Sequence, residues 1–370
     1  MTSVLIVIGV TGWIALIISL FLYRKVVKQK SRIFNGLRHE DDLGPNVVVI
    51  GGGTGQSVFL RGLKHYTQNI TAIVTVADDG GGSGVLREDL GMLPPGDIRN
   101  CLLALANIEP TMDEVMKYRF TEGALKGQSF GNLFLAAMNG LYGNFEVAVY
   151  KMSEIFAITG RVLPVTLEDI KLIAQLKNGN KVKGESIIPK EVKSQQSTIE
   201  RVYLDPVDVK PLDEVINSIA NADIIIIGPG SLYTSIIPNL LVEGVVDAIK
   251  KSKAPKVYIS NIMTQPGETD NYNVLDHVNS IVKHTKENIL DYVIANNEVL
   301  PKDIFEIYQN DGATQVLLDK DQKEYLKSMG VKTIEENLIE IKNNYIRHDA
   351  NHISNVVVDL ALRHKNDTGK

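Results

Sequence analysis

The sequence predicts a doubly wound α/β fold: a mainly parallel sheet with a helical layer and a small β-hairpin excursion, preceded by one transmembrane helix. Three observations carry this. Short β-branched runs, among them 46–50 (NVVVI) and 223–227 (DIIII), each end in a glycine-rich turn and precede apolar residues at helical spacing, the pattern of buried parallel strands joined by helices. One segment, about 161–203, replaces that pattern with short alternating runs around Asn178-Gly179, as a hairpin would. The first 23 residues carry no charge at all.

That last fact divides the chain. From Val4 to Tyr23 only Gly9, Thr11, Gly12 and Ser19 interrupt the apolar run, and about 20 such residues match the thickness of a hydrocarbon core as helix. Arg24, Lys25, Lys28, Lys30 and Arg32 follow at once, which by the positive-inside bias places this flank and everything after it in the cytoplasm. A cleaved signal peptide is the alternative, but no basic region precedes the run and no small-residue cleavage pattern closes it. Residues 1–23 are therefore expected to be a membrane anchor, 24–45 a basic juxtamembrane tether, and 46–370 one domain with the excursion at about 161–203.

Of 39 basic and 44 acidic residues in the 370-residue chain, the tether holds six and three, which leaves 33 against 41 in the body. A net of minus eight is no nucleic-acid footprint. With 44% apolar residues the chain can bury a large core, which excludes disorder. The single cysteine, Cys101, excludes an intramolecular disulfide and any Cys-based zinc cluster.

Within the body, NVVVI stops at Gly51-Gly52-Gly53-Thr54-Gly55 and a helix is expected through Val58, Leu60 and Leu63; the run 70–77 (ITAIVTVA) repeats the strand signal and stops at Asp78-Asp79-Gly80-Gly81-Gly82-Ser83-Gly84. From Asp97 to about Ile158 β runs are few, so a helical layer is expected. The polar stretch 190–200 is expected to be a solvated loop. Strands resume at 223–227 before Gly228-Pro229-Gly230-Ser231, at 256–260 (KVYIS) before Asn261, and at 292–295.

In an open parallel sheet ligands bind outside the carboxyl ends of the strands, and the unusual residues fall there. The turn at Gly51, Gly52, Gly53, Thr54 and Gly55 lets backbone amides at a helix N-terminus approach an anion, although a glycine-rich turn is also simple tight-turn chemistry. Asp78 and Asp79 end the second strand, where a dinucleotide-binding fold keeps an acidic residue for ribose hydroxyls. Consecutive side chains point to opposite sides, so one carboxylate faces the ligand and the other caps the loop or holds a cation; both as plain turn residues is the alternative. Asp97 is a candidate N-cap of the next helix. Arg99 is a candidate phosphate clamp or the partner of Asp78 or Asp97 in a salt bridge. Ser129 or Asn132 caps the helix after Gly127-Gln128, with amides that face a ligand or simply start the helix. Gly228, Gly230 and Ser231 form a second candidate anion-holding turn. No Walker-type lysine, His-Glu-x-x-His pair or nucleophile elbow occurs, and His348 is expected to be a packing or surface residue.

Taken together, VVVIGGGTG (47–55), AIVTVADDGGGSG (72–84), PPGDIRN (94–100), GQSFGNL (127–133), IGPGSLYTSIIPNLL (227–241) and NIMTQPGETDNY (261–272) resemble the YvcK/GlmR family of gluconeogenesis factors, within the wider superfamily of the 2-phospho-L-lactate transferase CofD. The resemblance covers nearly the whole body. It implies a Rossmann-like cytoplasmic protein that binds uridine-diphosphate sugars, notably UDP-N-acetylglucosamine, and that coordinates cell-wall precursor supply, cell shape and growth on gluconeogenic carbon through contact with protein partners. It also implies roles in sugar-nucleotide binding for Tyr308, ahead of an expected late strand at 314–318 (TQVLL), and for Arg347. An aromatic ring stacks on uracil and a guanidinium grips a diphosphate. Two departures stand out: Gly82 replaces a serine common in the family, and the N-terminal anchor is absent from its better known soluble members.

Two functions follow as expectations. The first is a ligand-binding regulator with a cell-wall precursor enzyme or regulatory protein as partner, and with a homo-oligomer as its state. The second is a CofD-type transferase in which Asp78 or Asp79 holds Mg2+ between phosphates while a hydroxyl attacks. The missing general base favours the first. A nicotinamide dehydrogenase is disfavoured by the incomplete fingerprint.

Overall fold

The computed structural model describes residues 43–342 and 345–368, and from Pro45 onward these form one compact unit. The anchor expected at 1–23 and all but the last residues of the tether lie outside the described residues. Among the described residues no single helix is long and apolar enough to cross a membrane.

Seven parallel strands form the central sheet: β1 (Val47–Gly51), β2 (Ile70–Val74), β3 (Arg161–Pro164), β7 (Ile224–Ile227), β8 (Lys256–Ile259), β9 (Tyr292–Asn296) and β10 (Lys332–Glu336), in the spatial order β10-β9-β8-β7-β1-β2-β3. Burial explains the order. Every residue of β1, β2 and β7 is buried, as befits central strands covered on both faces, whereas β3 starts exposed and β10 is partly exposed throughout, as edge strands must be. The chain winds outward from β1 to β3, returns to β7, and winds outward again on the other side. The reversal falls between β1 and β7, whose backbones pair from Val47 with Ile224 to Ile50 with Ile227.

The helical layer lies where the sequence places it, as Gly96–Leu105, Pro110–Lys117, Phe130–Tyr142 and Phe145–Ile155. The first of these packs on the helix Gly53–Leu63, which also receives the C-terminal helix Ala350–Thr368. Gly62 is required at that crossing, because a Cβ there would meet the Ala350 Cβ at 2.8 Å. Helices Asp213–Ala220 and Val245–Lys251 pack together as a separate group, the two-layer arrangement of a doubly wound sheet.

The excursion differs in detail from expectation. β3 belongs to the central sheet; only β4 (Lys171–Leu176), β5 (Lys181–Lys183) and β6 (Ile199–Asp205) form the separate antiparallel sheet, in the order β5-β4-β6. The expected turn at Asn178-Gly179 is present, with Gly179 at φ 89°. Part of the polar stretch expected as loop is the helix Ile188–Ser194, anchored by buried Ile188 and Val192. The expected strand at 314–318 is not one: the segment contributes a single bridge from Gln315 to Met263. A hairpin not foreseen, β11 (Ile339–Lys342) with β12 (Tyr345–His348), precedes the last helix.

Candidate functional site

The β1/β7 reversal brings the two glycine turns into backbone contact. A Cβ on Gly55 would lie 2.9 Å from the Pro229 carbonyl oxygen and 3.1 Å from Gly230 Cα, and one on Gly230 would lie 3.1 Å from the Gly52 carbonyl oxygen. Glycine is needed here for close approach as well as for turning. Buried amides brace the strand ends beneath: Gln56 Nε2 donates to the carbonyls of Val49 (3.0 Å) and Ile73 (3.1 Å), and Asn239 Nδ2 donates to Gly51 O (2.9 Å). Gly228 takes φ 85°. The segment after Ser231 is a π-turn, Leu232–Ile236, running into one helical turn, Ile237–Leu240, so the second glycine loop leads to a far weaker dipole than the first.

The helix Gly53–Leu63 starts at the carboxyl edge of the sheet, as expected, with the Asp97 carboxylate near its first amide. Asp97 does not cap its own helix, which has no side-chain cap. Its carboxylate instead faces the Gly53 backbone amide, which only partly offsets burial and then repulsion from Asp78, and these push its pKa up to about 6. The same carboxylate forbids a side chain at Gly52, whose Cβ would stand 2.9 Å from Asp97 Oδ2 and 2.7 Å from Thr75 Cγ2.

Asp78 and Asp79 divide their work. β2 ends at Val74, so both aspartates sit in the following loop. Asp78 Oδ1 accepts from the Gly80 N–H at 2.9 Å and holds the glycine loop, while Asp79 Oδ1 accepts from the Ser186 N–H at 2.9 Å and ties the excursion to the sheet. Ser83 is buried against Gly96. Two further carboxylates, which the sequence alone did not single out, face the same place. Burial first, then Asp78, Asp97, Glu268 and Asp79, push Glu185 up to about 9; burial pushes Glu268 up to about 7, partly offset by the Thr234 hydroxyl. The available signal was local: Glu185 follows Gly184 on the excursion, and Glu268 lies in the PGETD turn after β8. Among the described residues no three His, Cys, Asp or Glu side chains are placed to hold a metal ion. Asp78 and Asp79 each give one carboxylate oxygen, Oδ1, to a backbone amide.

Arg99 makes neither expected salt bridge. Its guanidinium donates to Ser129 Oγ and, at 2.6 Å, to Asn100 Oδ1, and its Nε has no partner although it is buried. Ser129, not Asn132, is the cap of Phe130–Tyr142, and the Asn132 side-chain carbonyl is buried without a donor.

Tyr308 and Arg347 do come together with the first glycine turn. They line one cavity of about 250 Å3 with Thr54, Gly55, Asn261 and Gln265. Tyr308 stands on the helix Lys302–Asn310, and its hydroxyl accepts from the Ile346 N–H at 2.8 Å, fixing β12 beside the cavity. Arg347 is exposed; among the described residues its side chain donates only to the Ile346 carbonyl, at 3.1 Å, and its guanidinium lies 5.5 Å from the centre of the Tyr345 ring. Gln265 Nε2 donates to Ser231 Oγ at 2.6 Å, which joins the second glycine loop to the cavity wall, and its Oε1 is a buried acceptor without a donor. His348 also lines this cavity; its Nε2 lies 3.1 Å from Ser260 O, and burial pushes its pKa down to about 4, so the neutral ring donates to that carbonyl. Asp78, Asp79, Arg99 and Asn132 do not line this cavity.

The family profile described as 2-phospho-L-lactate transferase CofD matches residues 47–339. The chain is 60% identical over 317 residues to a Thermoanaerobacterium thermosulfurigenes protein of the gluconeogenesis-factor group, covering 86% of this chain and 97% of that one. It is 46% identical over 317 residues to the gluconeogenesis factor of Bacillus subtilis, covering 85% and 98%. A crystal structure of a Bacillus halodurans protein superposes with a TM-score of 0.82 at 45% identity, over 85% of this chain and 99% of that one.

Proposed function

The chain belongs to the CofD family, in its gluconeogenesis-factor branch, and on that premise we propose that it is a regulator that binds a UDP-sugar, UDP-N-acetylglucosamine foremost, in the Tyr308–Arg347 cavity. The observation that carries this is the convergence of an aromatic ring, an unpaired guanidinium and an orphaned buried acceptor at the sheet's reversal point. Tyr308 offers a face for uracil. Arg347, free of any carboxylate among the described residues, grips the diphosphate. Gln265 Oε1 takes a donor from the base or the sugar, which would relieve the cost of a buried acceptor left unmade. In this proposal the bound state links central carbon metabolism to cell-wall synthesis and cell shape through a protein partner, and the apolar run 4–23 holds the body at the cytoplasmic face of the membrane.

Calorimetric titration of the full-length chain with UDP-N-acetylglucosamine, with and without Mg2+, tests the proposal. Saturable heat that UDP shares and free N-acetylglucosamine lacks supports it; no heat in either condition contradicts it. Phospholactyl transfer of the CofD type is a second reading, favoured by the carboxylates gathered around Glu185. Its test is turnover of a nucleotide-activated phospholactate that disappears in Asp78→Asn.

A further inference from the structure

Beside the sugar-nucleotide cavity lies a larger one, of about 460 Å3, with a different character. Arg61 and His65 of the helix Gly53–Leu63 and its C-terminal turn form one wall, and Glu340, Lys342, Tyr345 and Arg347 of the β11–β12 hairpin form the other. Helical spacing of four sets Arg61 and His65 side by side. Register sets Lys342 opposite Tyr345 and Glu340 opposite Arg347, so cations stand on both walls.

The charge is lopsided. Three permanent cations, Arg61, Lys342 and Arg347, face one carboxylate, Glu340, which Lys342 already holds at 2.8 Å. Among the described residues no carboxylate pairs with Arg61 or Arg347. In a body with 33 basic and 41 acidic residues, this concavity carries an excess of positive charge that focuses the local field against the overall sign. Tyr345 stands 59% exposed at the mouth. Exposed tyrosine next to arginine is the composition of protein contact points, whereas a free phosphate would need only converging cations.

We propose that this cavity docks an acidic segment of a partner protein, with Asp or Glu side chains reaching Arg61 and Lys342 and an adjoining side chain packing on Tyr345. The proposal rests on the regulator reading, and gives it a surface and a charge class for its partner. The probe is a dye-labelled hexaglutamate peptide, titrated against the full-length chain at low salt and followed by fluorescence anisotropy. Binding should be saturable, should weaken about tenfold in Arg61→Glu and in Lys342→Glu, as for rim charges facing an opposite partner, and should fall further as salt screens it. Lys342 is exposed, so its variant keeps the test valid if Arg61→Glu unfolds. Affinity for UDP-N-acetylglucosamine should fall much less than tenfold in both variants, since neither residue lines its cavity. No saturable binding, or binding indifferent to both substitutions, overturns the proposal, as does displacement of the peptide by an equal concentration of hexathymidylate, which would make the cavity a polyphosphate site. If the peptide binds through Arg61 and Lys342 while the sugar nucleotide fails to bind, the docking surface stands and the ligand assignment falls.

Discussion

In the proposed complex, Arg347 is the residue on which sugar-nucleotide recognition turns. It is exposed and its one hydrogen bond is to its own neighbour's carbonyl, so Arg347→Ala should leave the thermal transition in place and weaken UDP-N-acetylglucosamine by about ten- to a hundredfold, the worth of a charge-assisted hydrogen bond. Unchanged affinity by calorimetry would remove it from the site. The buried carboxylates set a pH dependence whose sign can be worked out. Asp97 keeps its proton up to about 6 in the folded state, whereas an unfolded aspartate releases it near 4. The folded state thus binds more protons between those values, and stability falls as pH rises through that window. Asp97→Asn should flatten this slope and raise stability at pH 8 by about 1–3 kcal/mol, as measured by urea unfolding at pH 4 and pH 8; a parallel shift at both values would contradict it. Glu268 and Glu185 extend the same logic upward, since raised pKa values of about 7 and about 9 mean that acidification neutralises them. At this scale the sequence was legible where chemistry is local. Glycine runs after apolar strands announce an anion turn, but Glu185 and Glu268 reach the Asp78 cluster from an antiparallel excursion and a distant turn, and no spacing in the sequence ties them to it.

At the scale of elements, the two glycine turns work as one piece because strands β1 and β7 are neighbours. Gly55→Ala would drive a Cβ against the Pro229 carbonyl, a backbone atom that cannot swing aside. Overpacking of this kind costs about 1–3 kcal/mol, so the urea midpoint should drop and sugar-nucleotide binding should weaken with it; an unaltered midpoint would mean that the turns are not in contact. Tyr308→Phe removes the hydroxyl that accepts from Ile346. The loss should be about 1 kcal/mol in stability, with faster amide exchange at Ile346 as its local readout, while the ring still stacks. The central strands were readable because burial on both faces forces continuous apolar runs such as IIII. The edge strand β10 (KTIEE) and the hairpin strands β11 (IEIK) and β12 (YIRH) were not: half-exposed pairing needs no apolar run. The converse error, TQVLL taken as a strand, has the same root. Val316 is buried by donating to the Ile262 carbonyl from a loop, and apolar content alone does not distinguish that from a ladder.

For the whole molecule, the excess of acidic side chains sets a constraint that the architecture meets. A body that repels anions binds one only where fixed donors outweigh the field, and the proposed site lies along one flank of the helix Gly53–Leu63, facing β12. The sheet's reversal point puts a glycine turn, a tyrosine and an arginine there from segments nearly 300 residues apart in the chain. The most direct test is hydrogen–deuterium exchange of the full-length chain with and without UDP-N-acetylglucosamine. Protection should be confined to the segments that line the cavity, 54–58, 261–265, around Tyr308, and 346–348. Protection at the opposite edge of the sheet, around Asn69–Thr71 and Gly160–Arg161, or no protection at saturating ligand, would contradict it.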